Sequence, residues 1–177
     1  MSLTFAVELI NPNWHEFESL AYIHWQDAQN HRGNTEPFIL SRERYESANA
    51  TGFLRFLTAR HEGRLVGYLV LYVTASMHSQ IPLAVEDTFF LHPLHRGGRN
   101  ALRFLQFMEA QCREWGVQKL LCSCETSNET GITRLLTHLD FQPSIMQYVK
   151  DLSPRADSAS SVPHEVNDVR SSASSRS

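Results

Sequence analysis

The chain has 177 residues, of which 42% are hydrophobic and 20% charged, and its formal net charge is -3. A chain of this length and composition forms one globular domain whose core is stable without a disulfide or a bound metal. The chain has no excess of lysine and arginine, which argues against a nucleic-acid partner. Cys112, Cys122 and Cys124 form no CxxC pair, and no uncharged apolar run reaches membrane-spanning length. We therefore expect a cytoplasmic protein without a membrane segment.

The N-terminal half predicts a strand, two helices and a pair of strands joined by a turn. In the first helix, apolar residues recur every three or four positions, which is the spacing of one buried helix face. In the two paired strands, apolar residues alternate or run continuously between turn residues. The predicted bounds are 4–10 for the first strand, 11–31 and 41–52 for the helices, and 53–60 and 65–73 for the paired strands.

The C-terminal half predicts a strand, a loop, a long helix and a strand, which is the order of a parallel crossover. A short helix and a last strand follow. The predicted bounds are 83–91, 99–115, 117–123, 128–138 and 141–152. From residue 153 the chain is rich in serine and has no aromatic residue, so we expect a domain over 1–152 and a disordered tail over 153–177.

The segment Arg96-Gly97-Gly98-Arg99-Asn100-Ala101 lies between the strand that ends before Pro93 and the long helix. The start of a helix presents free backbone N–H groups and a partial positive charge. Glycines allow the backbone to approach a ligand closely, and the two arginines add fixed charge. The segment therefore predicts a site for a phosphate or pyrophosphate group.

Acid–base residues precede this loop. Glu86 and Asp87 are neighbours on a predicted strand, so their side chains point to opposite faces and only one can face a cofactor cleft. A carboxylate with a raised pKa can serve as a general base. His78, in the loop before the strand, is another candidate for substrate binding or proton transfer. His92 and His95 have the spacing of metal ligands, but no cysteine or carboxylate cluster accompanies them, so we expect no metal.

The element order and the loop resemble the GNAT superfamily of acyl-CoA N-acyltransferases over residues 3–152. In that family the loop reads Arg/Gln-x-x-Gly-x-Gly/Ala. Arg96 and Ala101 match its first and last positions, whereas Arg99 stands at the fourth position, where the family has glycine. The resemblance implies an α/β fold with a mixed, mostly antiparallel twisted sheet, flanked by helices and containing a central strand–phosphate loop–helix unit.

The resemblance also implies acetyl-CoA as co-substrate. By resemblance, the main chain of Phe89 and Leu91 would hold its pantetheine arm. The pyrophosphate would lie on backbone N–H groups of the loop, with charge from Arg96 or Arg99. The loop residues in question are Gly97, Gly98, Arg99, Asn100 and Ala101.

The resemblance implies a glutamate on this strand as the general base, which favours Glu86; Asp87 is the alternative. Many members carry a tyrosine in the short helix that protonates the departing thiolate, whereas this chain has Leu135 and Leu136 there. His138 and Tyr148 are alternative proton donors.

The resulting hypothesis is an acetyl-CoA-dependent N-acetyltransferase that acts by direct transfer in a ternary complex. Its acceptor is an amine of a small molecule or of a protein, and a homodimer is one open oligomeric state. The alternative is a non-catalytic GNAT-fold protein with a binding or virion role. The pattern Glu86-Asp87, Pro93, Arg96-Gly97-Gly98 and Tyr148-Val149-Lys150 is similar to acetyltransferase-like proteins of tailed bacteriophages, which would place the chain in a host cytoplasm. A nucleotide-binding protein is a third reading, although the chain has neither a Gly-Lys-Ser/Thr motif nor GxGxxG.

Overall fold

The structure, a computed structural model, describes residues 2–32, 37–124 and 131–144, and also positions 147, 148, 150 and 152. The chain divides into two compact units, residues 1–142 and 143–177. Among the described residues, no helix combines the length and the apolar character needed to cross a membrane. The predicted tail over 153–177 lies outside the described residues.

The first unit holds a five-stranded sheet with helices on both faces. The strands are β1 (Thr4–Glu8), β2 (Leu54–His61), β3 (Arg64–Ala75), β4 (Pro82–Leu91) and β5 (Lys119–Leu121). The helices are α1 (Trp14–Arg32), α2 (Arg42–Ala50), α3 (Asn100–Glu114) and α4 (Ile132–His138). The sheet order is β1-β2-β3-β4-β5, antiparallel except for the parallel pair of β4 and β5. The predicted mixed, mostly antiparallel α/β architecture is confirmed.

The sheet separates two apolar cores, because successive strand residues point to opposite faces. On one face, α1 packs its buried Phe17 against Phe56 and Tyr68. On the other face, α3 buries Phe104 and Met108 together with residues of β2 and β3, which are Leu57, Ala59, Val66, Leu69 and Leu71. Apolar residues that recur every three or four positions give each helix one apolar face, and that face packs against the sheet.

Two predicted strands differ from the structure. β5 is confined to Lys119–Leu121, and none of the described residues of 141–152 lies in a strand. Of the described apolar residues in this stretch, Tyr148 and Leu152 are 89% and 81% exposed, whereas Phe141 packs against the core under α3. The predicted helix start at Asn128 lies outside the described residues, and α4 is described from Ile132.

Arg60, at the end of β2, ties β1 to the start of α1. Its Nε lies 2.8 Å from Glu8 Oε1, and one of its terminal nitrogens lies 2.9 Å from Glu16 Oε2. The hydrogen bond from Arg60 lowers the pKa of Glu8, although partial burial opposes the shift. The arginine therefore links three elements through charge-assisted hydrogen bonds.

Replacing Arg60 with Met should lower the free energy of unfolding at pH 7 by about 2–3 kcal/mol, because it leaves Glu8 partly buried without its partner. Glu8 has a lowered pKa in the folded state, so its contribution is present above its ordinary value of about 4.5 and is lost as the pH falls through the folded value. Urea unfolding at pH 7 and pH 3 should show the difference shrinking at the lower pH. Arg64→Met, at an exposed position in the same hairpin, is the control.

Candidate functional site

The central feature of the site is an opening between β4 and β5. The two strands pair only from Leu83 and Lys119 to Val85 and Leu121. Beyond that pair, β4 continues to Leu91 without β5 beside it. The second half of β4 therefore has one edge paired to β3 and the other edge facing this opening.

The main-chain groups along that edge can be assigned from the strand pairing. The N–H of His92 donates to the carbonyl of Val66 on β3, at 2.8 Å. In an antiparallel pair, alternate residues direct their N–H and C=O groups at the same neighbour. The corresponding groups of Phe89 and Leu91 therefore face away from β3 and into the opening. These are the two residues that the resemblance singles out for the pantetheine arm.

Gly67 on β3 is a residue that the sequence did not single out. It pairs with Leu91, and a Cβ atom at Gly67 would lie 2.9 Å from the carbonyl oxygen of Phe90 and 2.7 Å from a methyl carbon of Leu91. Only glycine allows β4 to run this close to β3. The signal in the sequence was a lone glycine inside an otherwise apolar strand, which is typical of a close backbone approach.

The predicted phosphate loop leads directly into α3. Gly98 has φ +67°, a conformation that L side chains rarely adopt, and a Cβ at Gly97 or Gly98 would meet no atom within 4 Å. Arg99 precedes the helix, and no side chain caps its start. The Asn100 amide donates to the His95 carbonyl at 3.0 Å, which holds the loop against the preceding turn. The first N–H groups of α3, including that of Ala101, lie at an uncapped helix start beside open space.

Arg96 is engaged within the protein. Its Nε donates to the Leu91 carbonyl at 2.7 Å, and a terminal nitrogen lies 2.6 Å from an Asp27 carboxylate oxygen on α1. Its guanidinium also lies 5.3 Å from the ring centre of Phe90. Arg96 thus ties the loop to β4 and α1, whereas Arg99 is exposed at the helix start.

A β-bulge places the two acidic residues. Val70 on β3 pairs with Thr88, but the next residue, Leu71, pairs with Glu86, so Asp87 is the extra residue of β4. Glu86 lies opposite Leu71, whose side chain belongs to the core under α3. Asp87 accepts a hydrogen bond from Thr88 Oγ1 at 3.3 Å. Thr88 lies opposite Val70, on the α1 side, so the two carboxylates diverge from neighbouring positions.

Glu86 lies where the pairing of β4 and β5 ends. Its Oε2 accepts a hydrogen bond from the Ser123 N–H at 3.1 Å. Burial raises the pKa of Glu86 to about 7; the Ser123 bond opposes this shift, and the negative charge of Asp87 adds to it. A carboxyl group with this pKa is available both to accept and to release a proton near neutral pH.

Asp87 faces a group of tyrosines on the α1 side of the sheet. Burial, together with the charge of Asp87 and a hydrogen bond to it, raises the pKa of Tyr72 to about 12. Burial and the same charge also raise the pKa of Tyr45 and Tyr68. The Tyr68 hydroxyl lies 2.8 Å from His24 Nδ1.

A cleft of about 380 Å³ lies between α1 and β4. It is lined by residues of α1, by the segment 37–40, by Tyr45 and Tyr68, and by β4 residues 86–89. Trp25 of α1 is one of the lining residues. The sequence did not single out three further lining residues, Phe38, Tyr45 and Tyr68. No local pattern reports that residues from separate parts of the chain meet beside β4.

Other predicted candidates lie elsewhere. His78 is exposed in the turn between β3 and β4 and is not among the described residues that line the cleft. Leu136 is buried, and His138 is exposed on α4. His95 lies near His61 and His92, with ring centres 5.0 and 6.1 Å apart. In the part of the chain that the structure describes, no group of three or more His, Cys, Asp or Glu is arranged to hold a metal ion.

No curated protein sequence shows significant similarity to the chain. Among solved structures, a ribosomal-protein-alanine N-acetyltransferase from Brucella melitensis biovar Abortus 2308 superposes with a TM-score of 0.66 at 20% identity, covering 85% of this chain and 99% of that one. An aminoglycoside acetyltransferase from an uncultured soil metagenomic sample gives 0.69 at 13% identity, covering 85% and 96%. Glucosamine-6-phosphate N-acetyltransferase from Arabidopsis thaliana gives 0.62 at 12% identity, covering 86% and 99%.

At these identities the structural likeness shows a shared fold. The sequence itself carries the family assignment, because the profile of the acetyltransferase (GNAT) family matches residues 14–140. That stretch runs from the start of α1 to the end of α4 and contains the loop, the β4 edge and both carboxylates. The chain therefore belongs to the acetyltransferase (GNAT) family.

Proposed function

We propose that this chain is an acetyl-CoA-dependent N-acetyltransferase that transfers the acetyl group directly to an amine in a ternary complex. The observation that carries the proposal is the position of Glu86. Its carboxyl group accepts from Ser123 at the point where β4 leaves β5, and the residue is also one of those that line the cleft beside α1. A base at this junction can act on an amine held in the cleft and on an acyl group held along β4.

The described residues fit acetyl-CoA. The edge of β4 offers the N–H and C=O of Phe89 and the N–H of Leu91, since the Leu91 carbonyl already accepts from Arg96. The uncapped start of α3 and the open space before Gly97 and Gly98 suit a pyrophosphate. Of the two arginines, we assign the phosphate contact to Arg99, because Arg96 is already bound to Asp27. The bound thioester supplies the acetyl group.

Glu86 provides the proton chemistry. An aliphatic amine with a pKa of about 10 reaches the site as an ammonium ion. Glu86 accepts one proton from it, and the neutral nitrogen then bonds to the thioester carbonyl carbon as the carbon–sulfur bond breaks. The second proton of the amine ends on the leaving sulfur, and Glu86 releases its own proton to solvent. Asp87 is the rival base, and His78 is a further candidate.

The acceptor is a small-molecule amine or a protein amine, bound in the cleft between α1 and β4. The solved structures with this fold include enzymes named for aminoglycosides, for glucosamine 6-phosphate and for a ribosomal-protein alanine. A cytoplasmic location, a homodimer and a relation to bacteriophage proteins stay predictions of the sequence.

Acetyl-CoA should raise the melting temperature of the purified chain in a concentration-dependent manner. A ligand at 100 times its Kd stabilises the folded state by about 2.7 kcal/mol. Arg99→Ala should weaken acetyl-CoA binding about 10- to 100-fold, because a hydrogen bond between charged groups contributes about 1.5–3 kcal/mol. Thermal melting at a series of acetyl-CoA concentrations measures the first effect, and isothermal titration calorimetry measures the second.

Arg113→Ala is the matched control, since Arg113 lies at the other end of α3 with its side chain 74% exposed. No stabilisation by millimolar acetyl-CoA would overturn the enzymatic proposal and favour a non-catalytic protein of the same fold. Equal losses in the Arg99 and Arg113 variants would show only a general effect of charge and would remove the specific assignment to Arg99.

A further inference from the structure

The lining of the cleft beside α1 carries negative charge and aromatic rings. Glu86 and Asp87 border it at the bulge of β4, and four other parts of the chain supply rings, which are those of Trp25, Phe38, Tyr45 and Tyr68. Among the described residues that line it there is neither lysine nor arginine. A site of this composition attracts cations and repels carboxylates and phosphates.

The bulge makes the two carboxylates unequal. The Glu86 carboxylate accepts a hydrogen bond from the N–H of Ser123, which lies just beyond the end of β5. Asp87 is exposed on the α1 side, where its charge affects Tyr45, Tyr68 and Tyr72. On a regular strand, alternate residues share a face, so Glu86 would lie there with Thr88, and Asp87 would lie on the opposite face. The bulge adds Asp87 to the α1 side.

We propose that the acetyl acceptor is a compact aliphatic diamine or polyamine, with its reacting nitrogen at Glu86 and a second ammonium paired with Asp87. This inference rests on the proposed function. Trp25 and Phe38, whose ring centres lie 6.0 Å apart, offer apolar surface to the methylene chain and negative ring faces to the cation. The cleft volume of about 380 Å³ lies at the small end of the range of about 300–1,000 Å³ found for small-molecule sites.

The substrate preference follows from the second charge. An amine of the same length without a second ammonium offers Asp87 no cation, and one that ends in a carboxylate places a like charge beside Asp87. A charged hydrogen bond contributes about 1.5–3 kcal/mol, which corresponds to a preference of about 10- to 100-fold. Discrimination therefore comes from repulsion of acidic acceptors as well as from attraction of the dication.

The test compares three acceptors of one chain length with the full-length protein and acetyl-CoA. They are 1,5-diaminopentane, 1-aminopentane and 5-aminopentanoic acid, and turnover is followed by thiol release. We expect kcat/KM for the diamine to exceed that for the monoamine by about 10- to 100-fold, with the amino acid lowest. Asp87→Asn should bring the ratio of diamine to monoamine close to 1. Glu18→Gln, at an exposed position of α1, should leave the ratio unchanged.

Binding measured without acetyl-CoA gives a second readout. Calorimetry should detect 1,5-diaminopentane binding to the wild-type chain and to Glu18→Gln, and about tenfold weaker binding to Asp87→Asn. Equal use of diamine and monoamine by the wild type, or turnover of protein amines alone, would overturn the diamine proposal while leaving acetyl transfer in place. Equal losses for both amines in Asp87→Asn would also overturn it and make Asp87 the base. Failure to bind acetyl-CoA would overturn the proposed function and this inference with it.

Discussion

Replacing Glu86 with Gln is expected to lower kcat/KM for acetyl transfer by about 10²- to 10⁴-fold, the range typical of a lost general base. The substitution keeps the shape of the side chain and an oxygen that can accept from the Ser123 N–H. Acetyl-CoA binding, measured by calorimetry, should therefore change little. The loss should fall on kcat, because the amine would stay protonated at the moment of attack.

The pH dependence of kcat/KM identifies which residue is the general base. Since the pKa of Glu86 is raised to about 7, kcat/KM of the wild type should rise with pH and level off above that value. The Gln variant should lack this limb and keep only the limb set by the acceptor amine. If Glu86→Gln retains the limb and Asp87→Asn removes it, Asp87 is the base and the present assignment is wrong.

The same variant also separates chemistry from folding. A carboxyl group whose folded pKa lies above its ordinary value favours the folded state when protonated, and this contribution is lost as the pH rises from about 4.5 through about 7. At pH 8 the ionised Glu86 therefore costs stability. The Gln variant should be as stable as the wild type at pH 8 or more stable, so its loss of activity cannot come from unfolding.

Gly67→Ala should lower the free energy of unfolding by at least about 1–3 kcal/mol, the usual cost of forcing an extra methyl group into a packed site. The added carbon would lie 2.9 Å from the Phe90 carbonyl oxygen, which is main chain and cannot rotate away. β4 must then move away from β3, and the edge at Phe89 and Leu91 must move with it. We therefore expect weaker acetyl-CoA binding as well as a lower melting temperature.

Gly97→Ala is the control for stability, because a Cβ at Gly97 meets nothing within 4 Å. Its melting temperature should match that of the wild type. Urea unfolding gives the free energy of unfolding of both variants and a thermal scan gives their melting temperatures, each followed by circular dichroism. An unchanged melting temperature in Gly67→Ala would show that β3 and β4 can separate freely, and the spacing argued for the β4 edge would fail.

Much of the fold could be predicted because local patterns report burial. The helix period predicted α1 and α3, and apolar runs between turn residues predicted β2, β3 and β4. The last strand over 141–152 was predicted from apolar residues alone, but none of the residues that the structure describes there lies in a strand, and Tyr148 and Leu152 are exposed. A strand needs a partner as well as composition, and no local pattern reports a partner.

Part of the candidate site could likewise be predicted from local patterns, and part could not. Glu86, Asp87 and the Arg96–Ala101 loop could be singled out from the sequence, because residue type and helix-start signals are local. The bulge that sends Asp87 to the α1 side could not, since it arises from how β4 is paired with β3. Nor could the pairing of Arg96 with Asp27, which lie 69 residues apart.

By itself, therefore, the sequence determined the order of the elements as far as α4 and singled out the glycine-containing loop before α3 and the pair of acidic residues. Only the tertiary structure decided which carboxyl group has the raised pKa and which faces the aromatic cleft. The physical reason is that desolvation and strand register depend on neighbours distant in the chain, whereas helix starts and residue chemistry depend on adjacent ones.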